Sequence, residues 1–99
     1  MQKVLFEINY SIHPEKREEY IDTIIKLKSL INEKFDINYS VFENTKKQNN
    51  FSEIFICNSE EELEKFDDTQ DDSIREIISE LFEKYIKDKK VIYTTKTEI

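Results

Sequence analysis

The sequence predicts an α+β domain of the pattern β-α-β-β-α-β, in which two helices cover one face of a four-stranded antiparallel sheet. Two periodicities lead to this plan. Residues alternate cleanly between two sides from Val4 to Ile12, and apolar residues recur every three or four positions after Pro14 and again after Ile74. The third observation is an exclusion: the 99 residues contain no glycine. Phosphate-cradling loops, the dinucleotide fingerprint, the nucleophile elbow and the EF-hand loop all need glycine, where backbone turns sharply or meets a ligand closely.

The first strand places Val4, Phe6, Ile8, Tyr10 and Ile12 on one side and Leu5, Glu7, Asn9 and Ser11 on the other. His13-Pro14 ends it, and Pro14 suits the first helical position, where its missing N–H is not needed. Glu15, Glu18 and Glu19 favour the positive end of the helix dipole. Tyr20, Ile24, Leu27, Ile31 and Phe35 then form an apolar stripe, widened by Ile21, Ile25 and Leu30.

Alternation returns from Asp36 to Glu43, the second strand. Asn44 to Asn50 is polar, and asparagine tolerates left-handed backbone better than most residues, so the chain turns here. Phe51 to Cys57 is the third strand, in a hairpin with the second. Ser59-Glu60-Glu61-Glu62 matches a capping box and opens a short helical turn to about Phe66. Asp67 to Asp72 interrupts it. Ser73-Ile74-Arg75-Glu76 matches a second capping box, with Asp71 and Asp72 also suited to a helix start. Ile74, Ile77, Ile78, Leu81, Phe82, Tyr85 and Ile86 carry the helix onward, Lys84, Lys87, Lys89 and Lys90 gather at its end, and Val91 to Thr97 is the last strand.

Composition limits the function. The length makes residues 1–99 a single domain. A formal net charge of −7 without a basic stripe argues against nucleic acid and against anionic membrane surfaces. No run of about 18 apolar residues is present, as a membrane span requires. The N-terminus reaches Glu7 too early for a signal-peptide core. One cysteine, Cys57, forms no internal disulfide and no cysteine-cluster metal site. The expected location is the cytoplasm, and no cofactor is expected.

On the β-α-β-β-α-β plan, Ile54 and Ile56 are expected to face the helices with the first strand's apolar set. That leaves Leu5, Glu7, Asn9, Glu53, Phe55 and Cys57 on the uncovered face, together with Tyr39 or Phe42 and Tyr93. Such a face, of mixed character, suits a second sheet or a ligand, which predicts a homodimer packed sheet against sheet.

The alternating first strand, Glu18-Glu19-Tyr20-Ile21 after Pro14, and Phe51-Ser52-Glu53-Ile54-Phe55-Ile56 followed by Ser59-Glu60-Glu61-Glu62-Leu63-Glu64-Lys65-Phe66 together resemble the dimeric α+β barrel superfamily. The likeness is to its antibiotic-biosynthesis-monooxygenase-like group, and it covers nearly the whole chain. It implies a ferredoxin-like fold, two sheets joined in a dimeric α/β barrel, and ligands held between sheet and helices or inside the barrel. Asn9 is similar in placement to the first-strand Asn on which haem-degrading and quinone-forming members depend. Their Trp has no counterpart, and the sole His, His13, lies at the end of the first strand.

The candidate catalytic residues are Glu7, Asn9 and Glu53, and the candidate ligand lining is Glu7, Asn9, Tyr39, Glu53, Phe55 and Tyr93. Glu7 and Glu53 fall on adjacent strands. Burial of the pair in a dimer predicts a raised carboxyl pKa and a general acid or base, whereas a wet interface or pairing with Lys96 predicts ordinary carboxylates. A lone His13 reads more naturally as a helix-entry residue than as a metal ligand, because zinc sites assemble several N or S ligands. Asp67, Asp68, Asp71 and Asp72 fit no calcium-loop spacing and read as capping and solubilising residues. Cys57 has no adjoining cation to activate it.

The leading functional expectation is a small homodimer that binds a small organic molecule. A cofactor-independent monooxygenase or isomerase is the enzymatic alternative, and an interaction module docking another protein on the uncovered sheet is the third.

Overall fold

The computed structural model describes residues 2–68 and 71–99. Strand β1 (Val4–Ile12) leads through a 3-10 turn at Pro14–Lys16 into helix α1 (Arg17–Lys34). Strands β2 (Asn38–Glu43) and β3 (Asn50–Cys57) form a hairpin. Helices α2 (Glu60–Asp67) and α3 (Asp72–Glu80) follow, then a π-helical turn at Leu81–Tyr85 and strand β4 (Ile86–Thr97). The sheet order is β2-β3-β1-β4, with β1 antiparallel to both neighbours and β2 antiparallel to β3. This is the expected four-stranded antiparallel α+β fold, with the helices on one face.

Helix α1 packs through Tyr20, Ile24, Leu27 and Ile31, all buried, with Ile21 and Leu30 part-buried beside them. Ile25, expected to widen this stripe, is instead 62% exposed. Ser59 caps α2, its Oγ accepting from Glu62 N at 3.3 Å, while Glu62 Oε2 accepts from Asn58 N at 3.0 Å. The cap of α3 is Asp71, which accepts from Ile74 N at 3.0 Å, and not the alternative Ser73. A carboxylate at the N-cap also meets the positive end of the helix dipole. The interruption read over Asp67 to Asp72 includes residues 69 and 70, which lie outside the described residues.

The helical turns that start at Asp72 run through Tyr85, and Ile86, the last residue of the apolar pattern, opens β4. The lysines expected at the helix C-terminus, Lys87, Lys89 and Lys90, belong to β4. Ile12 pairs with Ile86 and Tyr10 with Val91, so the intervening β4 residues bulge outward. Asp88 (φ 58°) and Lys89 (φ 52°) make that bulge in left-handed backbone, at a cost of roughly 1–2 kcal/mol each. Without glycine, Asn49 (φ 62°) performs the corresponding turn before β3.

One strand faces opposite to expectation. Phe6 pairs with Phe55, Ile8 with Glu53 and Tyr10 with Phe51, so these β3 residues share the helix-covered face with β1's apolar set. Phe51, Glu53, Phe55 and Cys57 are buried, and Ser52, Ile54 and Ile56 lie on the uncovered face. A one-residue shift of phase inverts every side chain of a strand. Burying Phe51 and Phe55 stabilises the fold by roughly 1.5–3 kcal/mol each. The opposite phase would also bring Asn50 and Ser52 into the core. The accepted phase instead buries a single carboxyl, Glu53, and gives it a hydrogen-bonding partner.

Candidate functional site

The same phase places Glu53 against the helices rather than beside Glu7. Tyr39 stands opposite Phe55 on β2 and also faces the helices. Tyr93 stands opposite Ile8 on β4, and its ring stacks on Phe6 with centroids 6.0 Å apart. The uncovered face therefore holds Leu5, Glu7 and Asn9, as expected, and Phe42 rather than Tyr39. Glu53, Phe55, Cys57, Tyr39 and Tyr93 all move to the other side.

Glu7 and Asn9 are thus separated by the thickness of the sheet from the remaining candidates. They belong to a polar cluster across β1 and β3. Ser52 Oγ donates to Glu7 Oε2 at 2.7 Å, and Asn9 Nδ2 donates to Ser52 Oγ and Asn50 Oδ1, each at 3.0 Å. Asn50 Nδ2 in turn donates to Ser11 Oγ at 3.1 Å. These bonds fix the side chains of the uncovered face in one arrangement.

Of the candidates on the covered face, Glu53, Phe55 and Tyr93 border a cleft of about 720 Å³ between the sheet and the helices, and Tyr39 and Cys57 do not. Its walls are apolar: Phe6, Ile8 and Phe55 from the sheet, Leu27 and Ile31 from α1, Phe66 from α2, and Ile78 and Phe82 across the opening. Glu53 and Tyr93 complete the sheet side, while Asp67, Asp68 and Arg75 also border the cleft and are exposed. Ile78 and Phe82 are 43% and 38% exposed because they border this opening and do not close over it. The size is in the range of small-molecule sites, which are mostly apolar with a few placed polar groups.

Glu53 is the polar group at depth, with 6% exposure. Tyr39 donates to its Oε1 at 2.6 Å, and Tyr10 is buried on the same face of the sheet. Tyr10 in turn meets Tyr20, their hydroxyl oxygens 2.7 Å apart. Burial pushes the Glu53 carboxyl above the ordinary carboxylate range, and the hydrogen bond from Tyr39 opposes that rise. Burial also raises all three tyrosine hydroxyls, so they remain protonated donors. An acid of this kind, in an apolar cleft with a tyrosine partner, is suited to proton exchange or to hydrogen-bonding a ligand.

The other candidates fall outside the cleft. His13 enters the 3-10 turn, with its backbone N–H donating to Tyr85 O at 3.0 Å. Burial raises the Cys57 thiol, the reverse of what an activated nucleophile needs. Asp71 is committed to capping α3 and to an ion pair with Lys34. Sequence reasoning named Glu53 as a candidate but not the hydroxyl pair of Tyr10 and Tyr20, whose oxygens lie 2.7 Å apart. Both carry the periodicity of core residues, and nothing in their spacing announces that the hydroxyls meet.

No protein-family model matches the sequence, and no curated protein matches it significantly. Solved structures do match. A conserved protein from Methanosarcina mazei Go1 superposes with a TM-score of 0.84 at 19% identity, over 100% of this chain and 95% of that one. A conserved protein of unknown function from Bacteroides thetaiotaomicron gives 0.78 at 12% identity, over 97% of each chain. A structure described as an antibiotic biosynthesis monooxygenase gives 0.70 at 16% identity, over 100% of this chain and 97% of that one. At these identities the likeness establishes architecture alone: the chain shares the ferredoxin-like α+β fold of these structures.

Proposed function

We propose that this protein is a cytoplasmic homodimer that binds a small apolar organic molecule in the cleft between sheet and helices. The observation that carries the reading is Glu53, a buried carboxyl on a cleft of about 720 Å³ whose walls are mostly apolar and whose rim carries Asp67, Asp68 and Arg75. Evolved cores rarely retain such a group without a structural or chemical use, and burying it is unfavourable unless it is hydrogen-bonded. Within the lining first considered, Glu53, Phe55 and Tyr93 border the cleft and Tyr39 holds Glu53. Glu7 and Asn9 belong instead to the proposed dimer face.

The uncovered sheet supports the dimer half of the reading. Leu5, Ile54 and Ile56 are part-exposed there, and Phe42 and Ile92 are 60% and 56% exposed. A second sheet laid over this face would bury them and the Glu7–Ser52–Asn9 cluster together. Sedimentation at micromolar concentration tests it, with a dimer expected. A well-folded monomer would overturn the homodimer, and a stable complex with an unrelated chain would favour the interaction-module reading. Thermal shift against a panel of small apolar compounds tests the cleft. Stabilisation is expected for compounds that fill it and should vanish in Ile78→Trp, whose larger side chain occupies the opening.

Glu53 also favours an enzymatic second reading, in which a cofactor-independent isomerase or monooxygenase uses it as the proton-exchanging group. One structural neighbour is described as an antibiotic biosynthesis monooxygenase. Turnover lost in Glu53→Gln, with ligand binding retained, is the result this reading expects.

A further inference from the structure

The lysines that follow Tyr85 do not serve a helix end. Strand β4 opens at Ile86, and its next residues leave the ladder between the Ile12–Ile86 and Tyr10–Val91 pairs. Asp88 and Lys89, both in left-handed backbone, form that bulge, and Lys87, Asp88 and Lys90 border a second cleft of about 300 Å³. The β2–β3 turn supplies Lys47 to the same cleft. That turn is tied by Asn44 N donating to Asn50 O at 2.9 Å and Asn50 N donating to Lys47 O at 3.3 Å. Asn50, 6% exposed, and Ser11 of β1 also line the cleft, as does Ile92 of the proposed dimer face. None of these residues borders the apolar cleft under the helices.

The fold thus brings three ammonium groups together from two separate segments. No ion pair reaches them among the described residues, and Asp88 is the one carboxylate among the residues that line the cleft. A formal excess of two positive charges stands on one concave surface of a chain whose net charge is −7. Like charges repel, and a cleft lined by one sign of charge focuses its field on an ion of the other. Ser11 adds a neutral donor: its Oγ accepts from Asn50 Nδ2 at 3.1 Å, which leaves its own O–H to give. We propose that this cleft binds a phosphate dianion, free or as the terminal group of a small ester. Lysine meets phosphate as a compact point charge with rotatable donors, and a tetrahedral oxyanion accepts from several directions at once. A phosphate monoester carries about 1.5 to 2 negative charges at neutral pH, which matches the excess on the cleft. A carboxylate brings one charge and suits a guanidinium fork, which this cleft lacks. A nucleic-acid strand needs a basic stripe longer than a cleft of this size. The inference stands apart from the apolar cleft and does not depend on its ligand.

Inorganic phosphate and phenyl phosphate, each titrated into the isotope-labelled full chain at constant ionic strength, test it through the backbone amide resonances. Saturable shifts are expected at Ser11, Lys47, Asn50 and Asp88. Tighter binding of the ester assigns the site to an organic phosphate, and equal or tighter binding of inorganic phosphate assigns it to the free ion; both uphold the proposal. Lys47→Gln, Lys87→Gln and Lys90→Gln should each weaken binding about fivefold, the upper end for an ion pair open to water. All three lysines are exposed, so the variants should fold as the parent does. Lys26→Gln makes the same change of net charge on the exposed side of α1 and should leave binding within about twofold. Shifts that do not saturate, shifts centred on the apolar cleft, or equal weakening by Lys26→Gln and the cleft variants overturn the site. Benzoate binding as tightly as phenyl phosphate overturns the assignment to phosphate. A single-stranded oligonucleotide that binds more tightly per phosphate than phenyl phosphate, through the same three lysines, overturns the small ligand in favour of nucleic acid.

Discussion

Tyr39 on β2 and Glu53 on β3 are joined by a hydrogen bond of 2.6 Å, both side chains buried under the helices. The bond links neighbouring strands on the face where the sheet would otherwise be wholly apolar. It is the means by which a carboxyl is tolerated there.

Removing that donor should be costly. In Tyr39→Phe the ring still packs on Phe55, whose centroid lies 4.8 Å away, but Glu53 loses a partner in a place water does not easily reach. Chemical denaturation should show a loss of about 1–3 kcal/mol, the penalty for leaving a buried polar group under-satisfied. A loss within error would show that Tyr39 does not hold Glu53.

Glu53 also fixes the sign of a pH effect. Its folded pKa is raised above the reference value of 4.5, so the folded state holds the proton more tightly than the unfolded chain. The resulting stabilisation is complete below the unfolded pKa and is lost as pH rises through the folded pKa. Glu53→Gln cannot ionise and lacks this dependence. Its stability relative to the parent should therefore improve steadily from pH 4 upward, about the reference carboxylate range. Parallel curves for the two proteins would mean that Glu53 has an ordinary pKa.

Glu43 behaves in the opposite sense. Arg17 grips it through two hydrogen bonds of 2.5 and 2.7 Å, and Asn49 N adds a third at 2.9 Å, which lowers the Glu43 carboxyl to about 2. Its contribution is present above the unfolded pKa and lost as pH falls through about 2. Glu43→Gln should be less stable than the parent at neutral pH, and the gap should close on acidification below the reference value of 4.5. Urea midpoints measured across that range check it. Since the pair is part-exposed, salt should narrow the gap.

The uncovered sheet face makes its own prediction. Phe42→Glu with Ile92→Lys places charge where a second sheet would lie, and both positions are more than half exposed in the single chain. Folding of the monomer should change little, within about 0.5 kcal/mol per exposed site. The dimer's dissociation constant should rise by at least about a hundredfold, as desolvating two charges without partners requires. Unchanged sedimentation would place any self-association elsewhere.

Local pattern alone determined the elements: the alternation of Val4 to Ile12, the stripe Tyr20-Ile24-Leu27-Ile31, the Ser59 cap and the turn rich in asparagine. Each depends on residues close in sequence, whose spacing matches the period of the structure they form. The order of those elements was enough for the α+β plan. Tertiary structure decided the phase of β3. Two aromatic and two aliphatic residues alternate there, so either face is apolar enough to be buried, and only the pairing of Phe51 and Phe55 with Tyr10 and Phe6 breaks the tie. It likewise decided the bulge at Asp88 and Lys89, whose lysine-rich surroundings resemble a helix end. The consequence is that Glu7 and Glu53, adjacent on the expected face, are divided by the sheet. One lies in a polar network on the uncovered face, and the other is buried under the helices, held by Tyr39 of β2.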